Sequence, residues 1–330
     1  MKIGFPHKPR PIGGTGSFQE RLTFQLQNLG WQVVFPEDRV APDIVLVVAG
    51  TRKLRWLRRC QRQGIRIVHR LGGMNWLYRT GCRTEGRHVL PMLRNYLFST
   101  IRARFADTVV YQSEFARDWW NRVYGVWRGH QVIIPNGVDL TVFQPRGQES
   151  RRRLVSVEGI VEYSPVNTGI IDVLAREVEY GNLADIFEVY GKVSDTLRRR
   201  YAGYRKVRIM GPVPRDQIHT VYPGSVFVSL DVNAACPNSV IEALASGCPV
   251  VAFATGALPE LVSPECGILV PYGADVWRLE TPAYGALVDA VGQAFERRSE
   301  LSPAARRAAE AKFSFTDVLQ AYLQVLSGKP

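Results

Sequence analysis

The residues with the clearest chemical meaning lie in the segment PNSVIEALASGCPVV, residues 237–251. A loop leads into a helix pattern with Asn238 or Ser239 at the N-cap, and a Gly-Cys-Pro turn and an apolar strand follow. Such a helix start leaves backbone N–H groups available to bind an anion such as a diphosphate. Glu242 is expected on the first turn, where its carboxylate can accept hydrogen bonds from both hydroxyls of a ribose. The simpler alternative is that Glu242 only complements the helix dipole.

A second segment, Gly13-Gly14-Thr15-Gly16-Ser17, follows the first apolar run and precedes a helix pattern. Glycines allow a ligand to approach the backbone closely, and a helix start favours an anion. Gly13, Gly14 and Thr15 are therefore candidate ligand-binding residues. The spacing is not GxGxxG, so a dinucleotide is not indicated. A tight turn between strand and helix explains the same glycines equally well.

Short β-branched runs alternate with helix patterns along the whole chain of 330 residues. This alternation predicts an α/β fold with parallel sheets that are covered by helices on both faces. The polar stretch at residues 144–153 has no periodicity and resembles a linker, and the alternation restarts after it. We therefore expect two Rossmann-like domains that face a central cleft.

Positive charge is concentrated in one part of the chain. Net charge is +12, yet residues 52–104 alone contain fourteen Lys or Arg and one acid. Aromatic residues are interleaved with these arginines, a composition that suits an anionic membrane surface or a phosphorylated acceptor. A solvated basic face is the alternative. No nucleic-acid motif is present, so nucleic acid is not expected as a partner.

The compartment is suggested by what the sequence lacks. The N-terminus has no apolar run typical of a signal peptide, and no run approaches the roughly 20 residues that span a bilayer. The five cysteines are scattered and form no CxxC pair, so we expect neither a disulfide framework nor a zinc site. We expect a cytoplasmic protein that can lie peripherally at the inner face of the membrane.

Taken together, several segments resemble the family 4 retaining glycosyltransferases. The most specific is CPNSVIEALASGCPVVAFATGALPELV, which resembles the donor-binding signature of that family. Further similar segments are GGTGSFQERL, VVYQSEFARDWW, PNGVDLTVF and FSFTDVLQAYLQVL. The resemblance implies a GT-B fold with an acceptor domain at residues 1–147, a nucleotide-sugar domain at 148–312, and a helix at 313–330 that crosses back to the first domain.

The resemblance also assigns site residues. It implies that Glu242 holds the donor ribose and that the backbone N–H groups of Ser239 and Val240 bind the diphosphate, beside Asn238. The backbone of Val213 would contact the base, and Gly14 would approach the sugar-diphosphate from the other domain. His69 would lie beside the transferred sugar as a catalytic residue, although a structural hydrogen bond is an equal alternative.

The sequence departs from the family pattern where the diphosphate should be neutralised. The usual Glu eight residues before Glu242 is Ala234, and the usual Arg and Lys after the first strand of the second domain are absent, with Thr168 near the Lys position. Lys192 and Arg70 are the candidate replacements. Together with Arg55, Arg58 and Arg59, Arg70 is also expected on a surface that meets the acceptor or another anion.

The resemblance implies transfer of a sugar from a nucleotide-diphosphate sugar to a hydroxyl of a glycan, lipid or small molecule, with retention at the anomeric carbon. No DxD pair occurs, so a bridging metal is not expected, and no cofactor beyond the donor is implied. The first alternative is a catalytically weak or idle GT-B protein that binds nucleotide-sugar or glycan, which the missing cations favour. The second is another Rossmann-type enzyme, such as a nucleotide-sugar epimerase or a dehydrogenase.

Overall fold

The structure is a computed structural model that describes residues 1–9, 14–80, 89–145, 147 and 151–328. The chain forms two compact units. The N-terminal unit comprises Met1–Asn136 together with Thr316–Pro330, and the C-terminal unit comprises Gly137–Phe315. The domain boundaries inferred from the sequence, at 147 and 312, stay predictions. None of the described helices combines the length and the apolar character that crossing a membrane requires.

The N-terminal unit contains a parallel sheet of six strands in the order β2-β1-β3-β4-β5-β6. The strands are β1 Lys2–Gly4, β2 Gln32–Val34, β3 Ile44–Val48, β4 Arg66–Leu71, β5 Thr108–Tyr111 and β6 His130–Ile133; the helices among them are α1 Gly14–Asn28, α2 Leu54–Arg62, α3 Val89–Arg104 and α4 Glu114–Tyr124.

The C-terminal unit repeats this plan with a second parallel sheet, in the order β12-β11-β10-β7-β8-β9. Its strands are β7 Arg153–Ile160, β8 Ile186–Lys192, β9 Val207–Gly211, β10 Ser225–Val228, β11 Val250–Phe253 and β12 Gly267–Val270; its helices are α5 Pro165–Tyr180, α6 Asp195–Arg200, α7 Asn238–Ala245, α8 Leu258–Leu261, α9 Tyr284–Glu296 and α10 Arg298–Lys312. The prediction of two parallel sheets with helices between the strands is confirmed.

The last helix, α11 (Phe315–Ser327), returns to the N-terminal unit. There, β3 alternates between two cores, as a strand buried on both faces must. Its residues Ile44, Leu46 and Val48 pack on α1 and α11, whereas Val45 and Val47 pack on α2 and α3. Helices α2 and α3 therefore lie on one face of the sheet, and α1 and α11 lie on the other.

Both sheets have a topological switch point, where successive connections leave in opposite directions. It lies between β1 and β3 in the first sheet and between β7 and β10 in the second. Ligands of such folds bind in the crevice at the carboxyl ends of the strands beside this point. These two edges are therefore the expected places of ligand binding.

Candidate functional site

The start of α7 lies at the carboxyl edge of the second sheet, directly after the loop that follows β10. Pro237 holds the N-cap position and makes no side-chain cap. The prediction that Asn238 or Ser239 caps the helix is thus wrong, because the helix begins one residue earlier. The first backbone N–H with an acceptor four residues back is that of Ile241, which donates to the Pro237 carbonyl at 3.4 Å. The N–H groups of Asn238, Ser239 and Val240 have no such intrahelical acceptor, which is the arrangement that can bind an anion.

Glu242 is the fifth residue of α7, and no acidic residue lies in the first turn of that helix. The alternative that Glu242 only complements the helix dipole therefore loses its support, because the dipole effect fades beyond the first turn. The side chain is half-buried, and the hydroxyl of the buried Tyr222 donates to its Oε2 at 2.8 Å. Burial and the neighbouring Glu242 raise the pKa of Tyr222 well above its usual value, so the hydroxyl remains a donor.

The other predicted donor residues are distributed over the same edge of this sheet. Lys192 ends β8 with an exposed side chain, and Val213 lies two residues after β9 in a mostly exposed loop. Thr168 is the fourth residue of α5, whose N-terminus is capped by the Ser164 hydroxyl accepting from the N–H of Asn167. These residues share an edge because parallel strands present their carboxyl ends together.

Two acids at the switch point were not predicted from the sequence. Glu158 belongs to the end of β7 and Asp231 follows the adjacent strand β10, and the N–H of Leu230 donates to Glu158 Oε1 at 3.2 Å. Burial, with repulsion from Asp231, raises the pKa of Glu158 to about 8. Burial also raises the pKa of Asp231 to about 7. The pair therefore favours its protonated form more than ordinary carboxyl groups do, at the place where the family resemblance expects cations.

The N-terminal unit has a cavity of about 780 Å³ at the switch point of its own sheet. Its walls come from the loops after β1, β3, β4 and β5 and from helices α1 and α3. Thr15 and Gly16 of the glycine-rich segment line it, and Gly14 is exposed as the first residue of α1. Gly13 lies outside the described residues. The described part of the glycine-rich segment therefore begins a helix beside a cavity, as the ligand-binding interpretation requires.

His69 lies on β4 with no exposed surface. Its Nε2 is 2.6 Å from the carbonyl oxygen of Ala49, and its Nδ1 is buried without a partner among the described residues. Desolvation lowers the pKa of His69 to about 4. The ring is therefore neutral, and Nε2 donates to Ala49. This geometry favours the structural hydrogen bond, and the predicted contact with a transferred sugar finds no support here.

Arg70, the next residue on β4, is 2% exposed, so the predicted position on an anionic surface is wrong. Its Nε donates to the Tyr322 hydroxyl at 3.0 Å, and its Nη2 donates to Asn136 Oδ1 at 2.6 Å. The guanidinium also lies 3.8 Å from the centre of the Phe18 ring. Planar stacking and directed donors draw the side chain inward and fasten α1 and α11 to the sheet.

Arg55, Arg58 and Arg59 are exposed on α2, as expected for a basic surface. The neighbouring helix α3 contacts α2, where Gln61 Nε2 donates to the Arg104 carbonyl at 3.0 Å. The first half of α3 exposes large apolar side chains, namely Val89, Leu90, Met92, Leu93 and Tyr96. A basic helix and an apolar helix surface thus lie on the same face of the N-terminal sheet.

Two family descriptions match this chain on either side of its centre. Residues 7–142 match "Glycosyltransferase Family 4", and residues 169–280 match "Glycosyl transferases group 1". The chain belongs to the family 4 glycosyltransferases. A mannosyltransferase of Corynebacterium glutamicum, described as GDP-mannose-dependent and acting on a monoacylated phosphatidylinositol monomannoside, is 24% identical over 68% of the chain. The match covers 63% of the length of that relative.

Solved structures show that this chain has the GT-B fold. A sucrose-phosphate synthase from Thermosynechococcus elongatus matches with a TM-score of 0.75 and 16% identity, covering 99% of this chain and 100% of that one. HepE from Anabaena, in complex with UDP and glucose, matches with a TM-score of 0.71 and 15% identity, covering 99% of both chains. Membership of this family excludes the dehydrogenase and epimerase alternatives and does not favour an idle binding protein.

Sequence reasoning missed three features of this chain. Glu158 and Asp231 are 73 positions apart, and only the pairing of β7 with β10 brings them to one crevice. The bond from Tyr222 to Glu242 joins two separate connections of the sheet. The two arginines that line the N-terminal cavity, Arg52 and Arg94, also come from separate elements, the loop after β3 and helix α3. One sequence signal was available for the two acids. Glu158, in Val157-Glu158-Gly159, and Asp231, in Leu230-Asp231-Val232, each follow an apolar run that predicts a buried strand.

Proposed function

We propose that this enzyme transfers a sugar from a nucleoside-diphosphate sugar to an acceptor hydroxyl, with retention and without a metal ion. The observation that carries the proposal is the start of α7, where uncapped amides at the switch point lie on the same helix as the braced carboxylate of Glu242. The amides suit the two phosphates, and Glu242 suits the ribose hydroxyls. UDP and GDP are the nucleotides to test first, because one similar structure holds UDP and one relative is GDP-mannose-dependent.

The reaction would break the bond between the anomeric carbon and the diphosphate oxygen, giving an oxocarbenium-like centre. The acceptor hydroxyl would form the new bond on the same face and pass its proton to an oxygen of the departing diphosphate. No protein base is needed in this scheme, which agrees with the buried position of His69. The protein would contribute positioning, together with stabilisation of the leaving diphosphate by amides.

Protonation of Glu158 and Asp231 would reduce the negative charge around the bound diphosphate. Lys192 is the cation that remains from the expected set, since Arg70 is engaged inside the N-terminal unit. Glu158 and Asp231 would repel a diphosphate if both were ionised, and their raised pKa values keep them partly protonated near neutral pH. Among the described residues, no group of three or more His, Cys, Asp or Glu side chains is arranged to hold a metal ion.

The test is transfer and hydrolysis with a panel that contains UDP-glucose and GDP-mannose, followed by NMR of the anomeric proton. We expect release of nucleoside diphosphate with retained configuration, at the same rate in EDTA. Inverted product would contradict retention, and loss of activity in EDTA that Mg²⁺ restores would contradict metal independence. Failure of every donor to bind would reject the proposal as a whole.

Thr168→Lys tests whether the missing family cation limits the enzyme. A lysine there should strengthen diphosphate binding if α5 faces the phosphates, because an opposite charge is added. Glu177→Gln, which also raises the net charge by one unit but lies about three turns from the N-terminus of the same helix, is the matched control. An inactive wild type that becomes active only as Thr168→Lys would support the idle-protein alternative instead.

We further propose that the protein lies peripherally on an anionic membrane through α2 and the first half of α3. Exposed arginines would meet headgroups, and the apolar residues of α3 would enter the interface. Binding to vesicles with anionic lipid should fall as salt is raised. Leu93→Ser should weaken that binding, whereas Val126→Ser, which also removes an exposed apolar side chain, should not. Equal binding of both variants, or none by the wild type, would reject the docking surface.

A further inference from the structure

The cavity of the N-terminal unit differs from the donor site in its charge. Its charged lining residues are Arg52, Lys53 and Arg94, and the described lining includes no carboxylate. Lys53 is paired with Glu37 at 2.8 Å, whereas Arg52 and Arg94 have no carboxylate partner in the part of the chain described. Two guanidinium groups are thus available at a cavity, on two different elements. A guanidinium donates two parallel hydrogen bonds to a phosphate, which a lone surface lysine does not.

The remainder of the lining suits a hydroxylated ring. Asn75, Gln112 and Thr51 supply amide and hydroxyl groups, and Phe98 and Leu97 supply an apolar wall. A volume of about 780 Å³ lies in the range of small-molecule sites, about 300–1,000 Å³. The cavity therefore has room for a sugar or polyol together with an anionic substituent.

The walls are held in place by buried contacts. Asn95, on α3 and 2% exposed, accepts from the N–H of Asn75 at 3.1 Å and donates to its carbonyl at 2.6 Å. This bond fixes the loop after β4 against the helix that carries Arg94. The Trp120 Nε1 donates to the carbonyl of Gly72 at 2.8 Å and holds the other end of that loop.

Two glycines lie where the walls approach each other most closely. A Cβ on Gly50 would lie 2.0 Å from the ring of Phe98, so this position requires glycine. A Cβ on Gly72 would lie 2.2 Å from Oε1 of Gln112, the end of a flexible side chain that would have to move aside. Both glycines lie at the carboxyl ends of strands that border the cavity. The cavity is therefore a built feature of this edge, with a rigid base under two exposed cationic side chains.

The geometry points to an acceptor that carries a phosphate group, bound by Arg52 and Arg94 with its hydroxylated ring in the cavity of the N-terminal unit. This inference rests on the proposed glycosyltransferase function and names the class of its acceptor. The phosphate can belong to a free sugar or polyol phosphate or to a lipid headgroup, since the two share the chemistry that the arginines recognise.

The experiment measures binding of matched pairs, glucose 6-phosphate against glucose and myo-inositol 1-phosphate against myo-inositol. We expect at least one phosphorylated member to bind about 10- to 100-fold more tightly than its neutral counterpart, the range for hydrogen bonds to a charged group. Arg52→Gln/Arg94→Gln should abolish that difference. Arg122→Gln/Arg128→Gln, which removes the same charge from exposed positions outside the cavity, should retain it.

A vesicle arm separates the two sources of phosphate. If the phosphate belongs to a lipid, vesicles with phosphatidylinositol should bind in preference to phosphatidylserine vesicles of equal charge, and Arg52→Gln/Arg94→Gln should remove that preference. If the phosphate is free, the soluble pairs show the difference and the vesicles do not. Both results support the inference.

Three results would overturn it: no preference for phosphate in any pair or vesicle, a preference that survives in Arg52→Gln/Arg94→Gln, or a preference that Arg122→Gln/Arg128→Gln also loses. Binding of UDP and GDP is measured on the same variants. Nucleotide binding that falls as much as phosphate binding would assign the arginines to the donor and also overturn the inference. Absence of nucleotide binding in the wild type is a different failure, which concerns the proposed function alone.

Discussion

Tyr222 donates a hydrogen bond of 2.8 Å to Glu242 from a position that is fully buried. The tyrosine precedes β10 and the glutamate lies in the middle of α7, so the bond joins the connection before this strand to the helix that follows it. It occupies one oxygen of the carboxylate and fixes the direction of the other. A carboxylate held in this way is suited to a ribose, because its orientation costs nothing further on binding.

The first prediction concerns this pair. Glu242→Ala should weaken binding of the nucleotide by about 1.5–3 kcal/mol, the contribution of a hydrogen bond to a charged group. Tyr222→Phe should weaken it less, because the carboxylate remains but is no longer oriented. Isothermal titration with UDP and GDP measures both effects.

Tyr272→Phe is the control for that prediction, since the Tyr272 hydroxyl donates to the Glu280 carbonyl at 2.7 Å, away from α7. It should cost about 1 kcal/mol of stability without changing nucleotide affinity. Unchanged affinity in Glu242→Ala would remove the ribose role from this residue.

The second prediction concerns pH. Because the pKa values of Glu158 and Asp231 are raised, to about 8 and about 7, the pair loses its protons as the pH rises through that range. Repulsion of a diphosphate then grows, so the affinity for UDP or GDP should fall between pH 6.5 and 8.5. Glu158→Gln should flatten this dependence, whereas Glu296→Gln, at the end of α9, should leave it intact. If the affinity of the wild type for nucleotide does not change between pH 6.5 and 8.5, titration of Glu158 and Asp231 does not control nucleotide binding.

The same pair affects stability with a defined sign. A carboxyl whose folded pKa is raised stabilises the fold most below its unfolded pKa, and this contribution is lost as the pH rises through the folded value. Urea unfolding should therefore show that Glu158→Gln gains stability relative to the wild type at pH 8.5 but not at pH 4. If Glu158→Gln and the wild type differ in stability by the same amount at pH 8.5 and pH 4, the titration of Glu158 is not the cause of the difference.

The third prediction concerns Arg70 and the return of the chain through α11. Arg70→Lys keeps the charge but cannot reach both the Tyr322 hydroxyl and Asn136 while stacking on Phe18. We expect a loss of about 2–3 kcal/mol in the free energy of unfolding, because two buried hydrogen bonds are affected. Arg122→Lys on the exposed face of α4 should change stability by less than about 0.5 kcal/mol. Equal stability of the two variants would show that the buried network is not required.

The fourth prediction is that His69 does not titrate near neutral pH. Its pKa is lowered to about 4 by burial, so the ring should remain neutral with the proton on Nε2. The stabilisation that follows is present above the unfolded pKa of 6.5 and is lost as the pH falls through 4. Nitrogen-15 NMR of the imidazole should show one tautomer from pH 8 to 5. Titration near 6.5, or an activity profile that follows His69, would restore its catalytic role.

The sequence predicted the elements with a strong local pattern. The strands β3, β5 and β11 are examples of the short β-branched runs from which the parallel sheets were predicted. Helix α10 was missed, because it is mostly polar and contains Pro303. Strand β12 was also missed, since one of its four residues is Gly267 and glycine is rare in strands.

The sequence located candidate site residues only where they lie together in one continuous segment. The start of α7 and Glu242 are contiguous, so the family signature was sufficient to locate them. Arg70 was placed wrongly because its partners, Tyr322 and Asn136, are 252 and 66 positions away. A side chain with distant partners has a direction that only the fold determines. The pair of acids at the switch point, Glu158 and Asp231, was missed for the same reason.

The most direct test of the central claim follows the backbone amides of α7 by NMR while UDP-glucose or GDP-mannose is added. We expect the amide signals of Ser239 and Val240 to move downfield and to saturate with the dissociation constant of the nucleotide, because their N–H groups donate to the phosphates. Saturated nucleotide binding that leaves these two signals unmoved would contradict the account.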